Sequence, residues 1–181
     1  AYNTIQYQYT LSGDQKYIQT ATETKLNNVT ETHTFNDKGQ LTEKVTRHGG
    51  KLAFKGNYTY GTTESAVDYR LVLKEEDCRY DVANDAVFLK KTTERKYSED
   101  KKANPIKITE THAHDSGLDQ ETTIKYGDNS LETERTVKKD DQTLIVSRND
   151  LLEGKVVQET QVLEKTGASE TLREKTRYAY N

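Results

Sequence analysis

Residues 29–61 read VTETHTFNDKGQLTEKVTRHGGKLAFKGNYTYG. Three runs rich in β-branched and aromatic residues are separated by two turn signals, Asn36-Asp37-Lys38-Gly39 and His48-Gly49-Gly50. Both signals supply residues that tolerate positive φ or form Asx turns. In the last run, side-chain alternation sets Leu52, Phe54, Tyr58 and Tyr60 on one face. Period two punctuated by short turns predicts antiparallel hairpins rather than helices or βαβ crossovers.

The pattern extends in both directions. TIQYQYTL (4–11) aligns Ile5, Tyr7, Tyr9 and Leu11 against Thr4, Gln6, Gln8 and Thr10. AVDYRLVL (66–73) aligns Val67, Tyr69, Leu71 and Leu73, and LETERTV and TLIVSR are shorter examples. Further turns are predicted at Ser12-Gly13-Asp14, Asn27-Asn28, Gly127-Asp128-Asn129 and Lys139-Asp140-Asp141. The whole reads as one all-β domain, an antiparallel meander of about a dozen short strands. A long loop near 98–105, before the only proline, Pro105, would divide it into two similar halves. AVFLKKTTERKY (86–97) and LLEGKVVQETQVLEK (151–165) fit helix or strand by pattern. Their β-branched content favours strands, with one short helix near Lys90. VTETHTF is polar on both faces at its centre, which predicts an open or single-layer sheet. The alternative is a closed or half-open barrel around a pocket for a small, lipid-like ligand.

Composition agrees with a thin core. Hydrophobic residues make up 31% and charged residues 31% of the 181 positions, with no Met or Trp. Twelve tyrosines and abundant threonine nevertheless suit half-buried pleated surfaces rather than a disordered coil. Acids and bases are interleaved to a net charge of -3, so no basic stripe points to nucleic acid. No apolar run reaches the roughly 18 residues of a membrane helix. Cys78 alone excludes an intrachain disulfide framework. Cysteine poverty suggests an extracytoplasmic bacterial setting, at the outer surface, in the periplasm or secreted, where a lipidated cysteine upstream of Ala1 would supply an anchor. The sequons at Asn28 and Asn57 matter only in a eukaryotic secretory pathway.

The tetrapeptide TETH occurs at Thr30–His33 and again at Thr109–His112, an offset of 79. The same offset carries Val29 onto Ile108, Val45 onto Ile124 and Leu52 onto Leu131, and brings Gly39 within one residue of Gly117. A duplicated strand–turn unit explains this better than a paired chemical site. Residues 34–61 carry Phe35, Asn36, Gly39, Leu41, Thr42, Tyr58 and Tyr60 in the order of an aromatic, an Asn, a Gly, Leu-Thr and a Tyr-rich strand. In that order the stretch resembles the YD, or RHS, repeats of bacterial surface and secreted proteins. It also resembles the spirochaete outer-surface lipoproteins, whose charged strands form a sheet segment wetted on both faces. Either resemblance implies a β-sheet surface protein without catalytic residues.

Candidate chemistry is sparse. His112 and His114 lie on one face of an extended strand and, with Glu110 or Asp115, have ligand types suited to Zn²⁺ or Cu²⁺. Two exposed histidines at a strand end are the plainer reading, because no third histidine or cysteine is placed nearby. The first TETH copy carries Phe35 where the second carries His114, so a metal site would not belong to the repeat. No cofactor motif, nucleophile elbow or phosphate loop is present. Carboxylate pairs are inevitable among 30 acids, and cross-strand ion pairs explain them better than glycoside hydrolysis. Cys78 follows Glu75, Glu76 and Asp77, which disfavour a thiolate. The tyrosines remain: Tyr2, Tyr7 and Tyr9 near one terminus, Tyr178 and Tyr180 near the other, and Tyr58, Tyr60 and Tyr69 between. Read as structure, they are the core of a sheet poor in aliphatics. Read as function, Tyr58, Tyr60 and Tyr69 form a face for a protein or glycan partner. The expectation is therefore a non-enzymatic surface or secreted β-repeat protein that acts as a binding or structural module. A small-ligand carrier is the alternative.

Overall fold

A computed structural model describes residues 6–64, 66, 68–99, 103–127, 129–138, 143–153 and 156–179. Ile5, Val67, Tyr2, Tyr180 and the Lys139-Asp140-Asp141 turn lie outside the described residues. Among the described residues the chain forms 13 antiparallel strands in one meander, each hydrogen-bonded to its sequence neighbours. They are β1 (Gln6–Leu11), β2 (Ile18–Lys25), β3 (Val29–Phe35), β4 (Leu41–His48), β5 (Lys51–Tyr60), β6 (Val72–Asp81) and β7 (Ala86–Tyr97). Then follow β8 (Pro105–His112), β9 (Gln120–Tyr126), β10 (Glu132–Lys138), β11 (Thr143–Leu152), β12 (Val156–Thr166) and β13 (Ser169–Arg177). The sheet does not close into a barrel, since β1 and β13 stand at the two ends of the strand order. Among the described residues helix is confined to two short 3₁₀ turns, Leu26–Asn28 and Ser116–Leu118.

Local corrections follow from the structure. Lys90 lies within β7, so no helix forms there. Within 151–165, Leu151 and Leu152 end β11, Glu153 adopts φ 49, and Val156–Lys165 lie in β12. AVDYRLVL is not a strand along its length, because β6 begins only at Val72. Before it, the chain folds back so that Gly61 lies beside Tyr69, Arg70 and Leu71. Gly61 N–H donates to Leu71 C=O at 3.0 Å and Arg70 N–H to Gly61 C=O at 2.9 Å. A Cβ on Gly61 would sit 2.1 Å from the Asp68 carbonyl oxygen, so only glycine permits this approach.

The chain divides into two compact units, Ala1–Thr93 with Thr111–Gly117, and Glu94–Glu110 with Leu118–Asn181. In the first, the register runs Tyr9–Ala21–His33–Lys44–Gly56–Asp77 across β1 to β6 on one face. On the other face it runs Gln8–Thr22–Thr32–Val45–Lys55–Cys78, with the Thr22 and Thr32 hydroxyls 3.0 Å apart. A sheet packed on one side would show alternating burial. Every residue of β3 is instead half-buried. Neither face owns the burial, as the polar centre of VTETHTF predicts.

Among the described residues of the second unit the buried apolar side chains are Ile124, Val146 and Leu163. Val146 stands directly opposite Leu163, whereas Ile124 shares its row with Arg135, Ser147 and Val162 on the other face. The small core is thus split between faces. Burying an aliphatic side chain contributes about 1.5–3 kcal/mol. Ordering the backbone opposes folding by roughly 1–2 kcal/mol for every residue. Three such side chains cannot carry the unit, so its stability must be spread over half-buried contacts and ladder hydrogen bonds along every strand.

Candidate functional site

The β1–β2 connection is built on Ser12, whose side chain is among the few buried polar groups. Its hydroxyl donates to Asp14 at 2.6 Å and accepts from the Lys16 N–H at 3.2 Å, while its own N–H donates to Tyr17 C=O at 2.9 Å. This knot returns Tyr17 and Ile18 to the end of β1. Leu11 then lies opposite Ile18, and Tyr9 opposite Ala21. Alanine leaves space beside the Tyr9 ring. Tyr9, Tyr17, Ile18, Ala21, Phe35 and Gly39 line a shallow depression of about 350 Å³. Tyr9 is 61% exposed and Ile18 43%, so the floor is apolar and open to solvent.

Gly39 borders this ledge in a turn that its residue types dictate. The Asn36 side-chain oxygen accepts from the N–H groups of Lys38 (3.0 Å) and Gln40 (2.9 Å), and Gly39 adopts φ +73. Gly117, its counterpart at the 79-residue offset, has no positive φ and sits in the 3₁₀ turn Ser116–Leu118. The two turns therefore differ in conformation.

Charge lies immediately along β3. Phe35 is tilted against His33, with ring centroids 6.5 Å apart, and His33 Nε2 is 3.2 Å from the Glu31 carboxylate. Lys44 and Lys25 also bind Glu31, Lys25 at 3.0 Å. The hydrogen bond from Lys44, then that from Lys25, outweighs burial and holds the Glu31 carboxyl down at about 2. A charged strip of paired acids and bases thus adjoins the aromatic ledge.

The sequence-predicted residues separate. Tyr58 and Tyr60 do share one face of β5, where the Phe54 ring and the Tyr58 hydroxyl close over Gly56, each about 3.1 Å from where its Cβ would stand. Burial raises both phenols above the usual tyrosine range. The Tyr60 hydroxyl donates to the Leu41 carbonyl, so its polar end is occupied by the sheet itself. Tyr69 belongs to the folded-back 61–71 segment, between Lys38 and Arg70 at 5.5 and 5.0 Å from its ring. Gln40 fastens that segment through the Arg70 carbonyl at 3.2 Å. His112 ends β8, and His114 is exposed in the turn after it. Among the described residues no group of three His, Cys, Asp or Glu side chains is placed to hold a metal ion.

Tyr17, Ile18 and Phe35 were not legible as site residues. Tyr17 and Ile18 are brought to Tyr9 by the Ser12 knot and Phe35 by the β2–β3 pairing, and the sequence signal is a Ser-Gly-Asp turn flanked by apolar residues. A second groove, of about 570 Å³, is lined by Leu152, Gln158, Glu159, Arg177 and Tyr178. Its carboxylate is already engaged: Glu159 binds Lys175 at 2.8 Å and Arg177 at 2.7 Å, and Lys175 foremost lowers it to about 2. Among the described residues no helix is long and apolar enough to cross a membrane. No protein-family model matches the chain, and no curated protein matches it.

Proposed function

We propose that the chain is a non-enzymatic binding and structural module of an extracytoplasmic bacterial surface or secreted protein. In this reading the meander is a scaffold that presents side chains on both faces, and the Tyr9–Ile18–Phe35 ledge docks a protein or glycan partner. The observation that carries it is the exposure of Tyr9 and Ile18 at a shaped apolar depression beside a charged strip. Apolar patches rimmed by polar groups mark interaction sites, and tyrosine combines a stacking face with a hydroxyl. The expected contact moves from Tyr58 and Tyr60, whose rings are half-buried and built into β5, to Tyr9. Low cysteine content and the resemblance to YD repeats support the surface setting.

The test compares two double variants on glycan arrays and in pull-downs from bacterial surface extracts, each beside a thermal melt. Tyr9→Ser with Ile18→Ser is expected to keep the melting temperature and lose binding. Tyr58→Ser with Tyr60→Ser is expected to lower the melting temperature. Retained binding by a folded Tyr9/Ile18 variant would overturn the ledge as the partner site.

A further inference from the structure

Among the described residues β1 and β13 stand at the two ends of the strand order, and they are chemically unlike. Among the described residues β1 pairs with β2 alone, and β13 with β12 alone. An edge strand presents a row of N–H and C=O groups to which another strand can add, and charged side chains are a common guard against this. β13, SETLREKTR, carries Glu170, Arg173, Glu174, Lys175 and Arg177. β1, QYQYTL, carries no charge at all. The large apolar side chains Tyr9, Leu11 and Ile18 are exposed at 61, 49 and 43%, and they lie on β1 or directly opposite it. An unguarded edge and an apolar margin coincide.

We propose that β1 pairs antiparallel with β1 of a second copy of this chain, about a two-fold axis perpendicular to the sheet at Tyr9. Antiparallel pairing about this axis sets like faces side by side, so Tyr9 meets the partner's Tyr9 and the Leu11 of each copy lies on the same face two positions away. Gln8 then meets the partner's Thr10 on the other face. The apolar margins become one stripe, and no charge is brought against a like charge. Self-pairing of β13 about its middle residue, Arg173, would instead set two guanidinium groups against each other. A heterologous contact of β1 on β13 would set the apolar margin beside a strand whose charges already bind β11 and β12 and whose one large apolar side chain is Leu172. Identity of the two strands is therefore the arrangement that this edge fits best. A strand of six residues makes a small interface, so the association is weak and concentration-dependent. The inference uses the same exposed margin as the binding ledge but needs no external ligand, so the two fail separately.

Sedimentation velocity of the full chain, from low micromolar to near-millimolar concentration, reads the association directly. The wild type is expected to move from monomer to dimer. Tyr9→Lys and Tyr9→Glu are each expected to stay monomeric, because like charges meet at the two-fold axis. An equimolar mixture of the two is expected to recover the dimer, which a general loss of stickiness could not do. Melting curves establish that both variants fold, as the exposure of Tyr9 leads one to expect. A wild type that stays monomeric throughout would overturn the proposal. So would a dimer indifferent to both substitutions, which locates the contact elsewhere, or a mixture of the two variants that stays monomeric.

Discussion

The hydroxyl of Tyr60 donates a 2.8 Å hydrogen bond to the carbonyl of Leu41, tying the last residue of β5 to the first residue of β4. The second unit repeats the device with other residues. Tyr126, the last residue of β9, donates at 3.0 Å to the carbonyl of Pro105, the first residue of β8. In both places the ring covers the hairpin's open end while its hydroxyl meets a backbone acceptor left over where the ladder stops. Tyr60→Phe and Tyr126→Phe should each lower stability by about 1 kcal/mol, the net worth of a part-buried hydrogen bond. Urea titrations read the loss, and unchanged midpoints for both variants would show that the hydroxyls contribute nothing.

Gly61 should be the least replaceable glycine. Gly61→Ala drives a Cβ into the Asp68 backbone, and the 61–71 segment must shift to admit it. A loss of roughly 1–3 kcal/mol is expected, as for other overpacked sites. Tyr69 should leave its place between Lys38 and Arg70 in the same variant, which proton chemical shifts of the ring would report.

Gly39→Val and Gly117→Val should part company. At φ +73 a β-branched residue is strained, so Gly39→Val is expected to destabilise by about 1 kcal/mol or more. Gly117 carries no positive φ, and its variant should lose less. Equal losses in paired thermal melts would mean that the two turns are equivalent after all.

Acid should weaken the first unit through Glu31. Its carboxyl is depressed from 4.5 to about 2 in the folded chain. The stabilisation is therefore fully present above pH 4.5 and is lost as the pH falls from there toward about 2. Glu31→Gln should be less stable than wild type at neutral pH and approach it at the acid end of that window. Denaturant midpoints measured across the window test the convergence, and a constant gap between the two proteins would discount the pairing with Lys44 and Lys25.

The strand pattern was legible because alternation and turn chemistry agree in VTETHTF, LTEKVTRH and KLAFKGNYTY, which are β3, β4 and β5 almost residue for residue. AVDYRLVL misled because alternation cannot register that Gly61 lets the Asp68 backbone approach, which turns 61–71 back before β6 begins. The mid-strand tyrosines were prominent by composition, yet a sequence cannot tell a half-buried ring bonded to a backbone carbonyl, as in Tyr60, from a largely exposed one, as in Tyr9. The ledge escaped notice for a different reason: Tyr17 and Ile18 reach Tyr9 through the Ser12 turn, and Phe35 reaches them through the β2–β3 pairing.

The uniform half-burial of β3 bears on how the strands find their alignment. When a sheet has an inside, slipping a strand by one residue turns its apolar side chains into water, and the error corrects itself. Here such a slip exchanges two faces of similar wetness and meets little hydrophobic penalty. Alignment must then be policed by pairs that recognise one another, such as Lys125 with Glu134 at 2.7 Å and Glu134 with Arg148 at 3.1 Å, all directly opposed across β9, β10 and β11. These pairs are exposed enough to be screened, and at about 1 M salt the screening length shrinks to roughly 3 Å. Fidelity of assembly, more than stability once assembled, should therefore be the salt-sensitive property of this chain. Refolding into strong brine should yield misaligned conformers that refolding into dilute buffer does not.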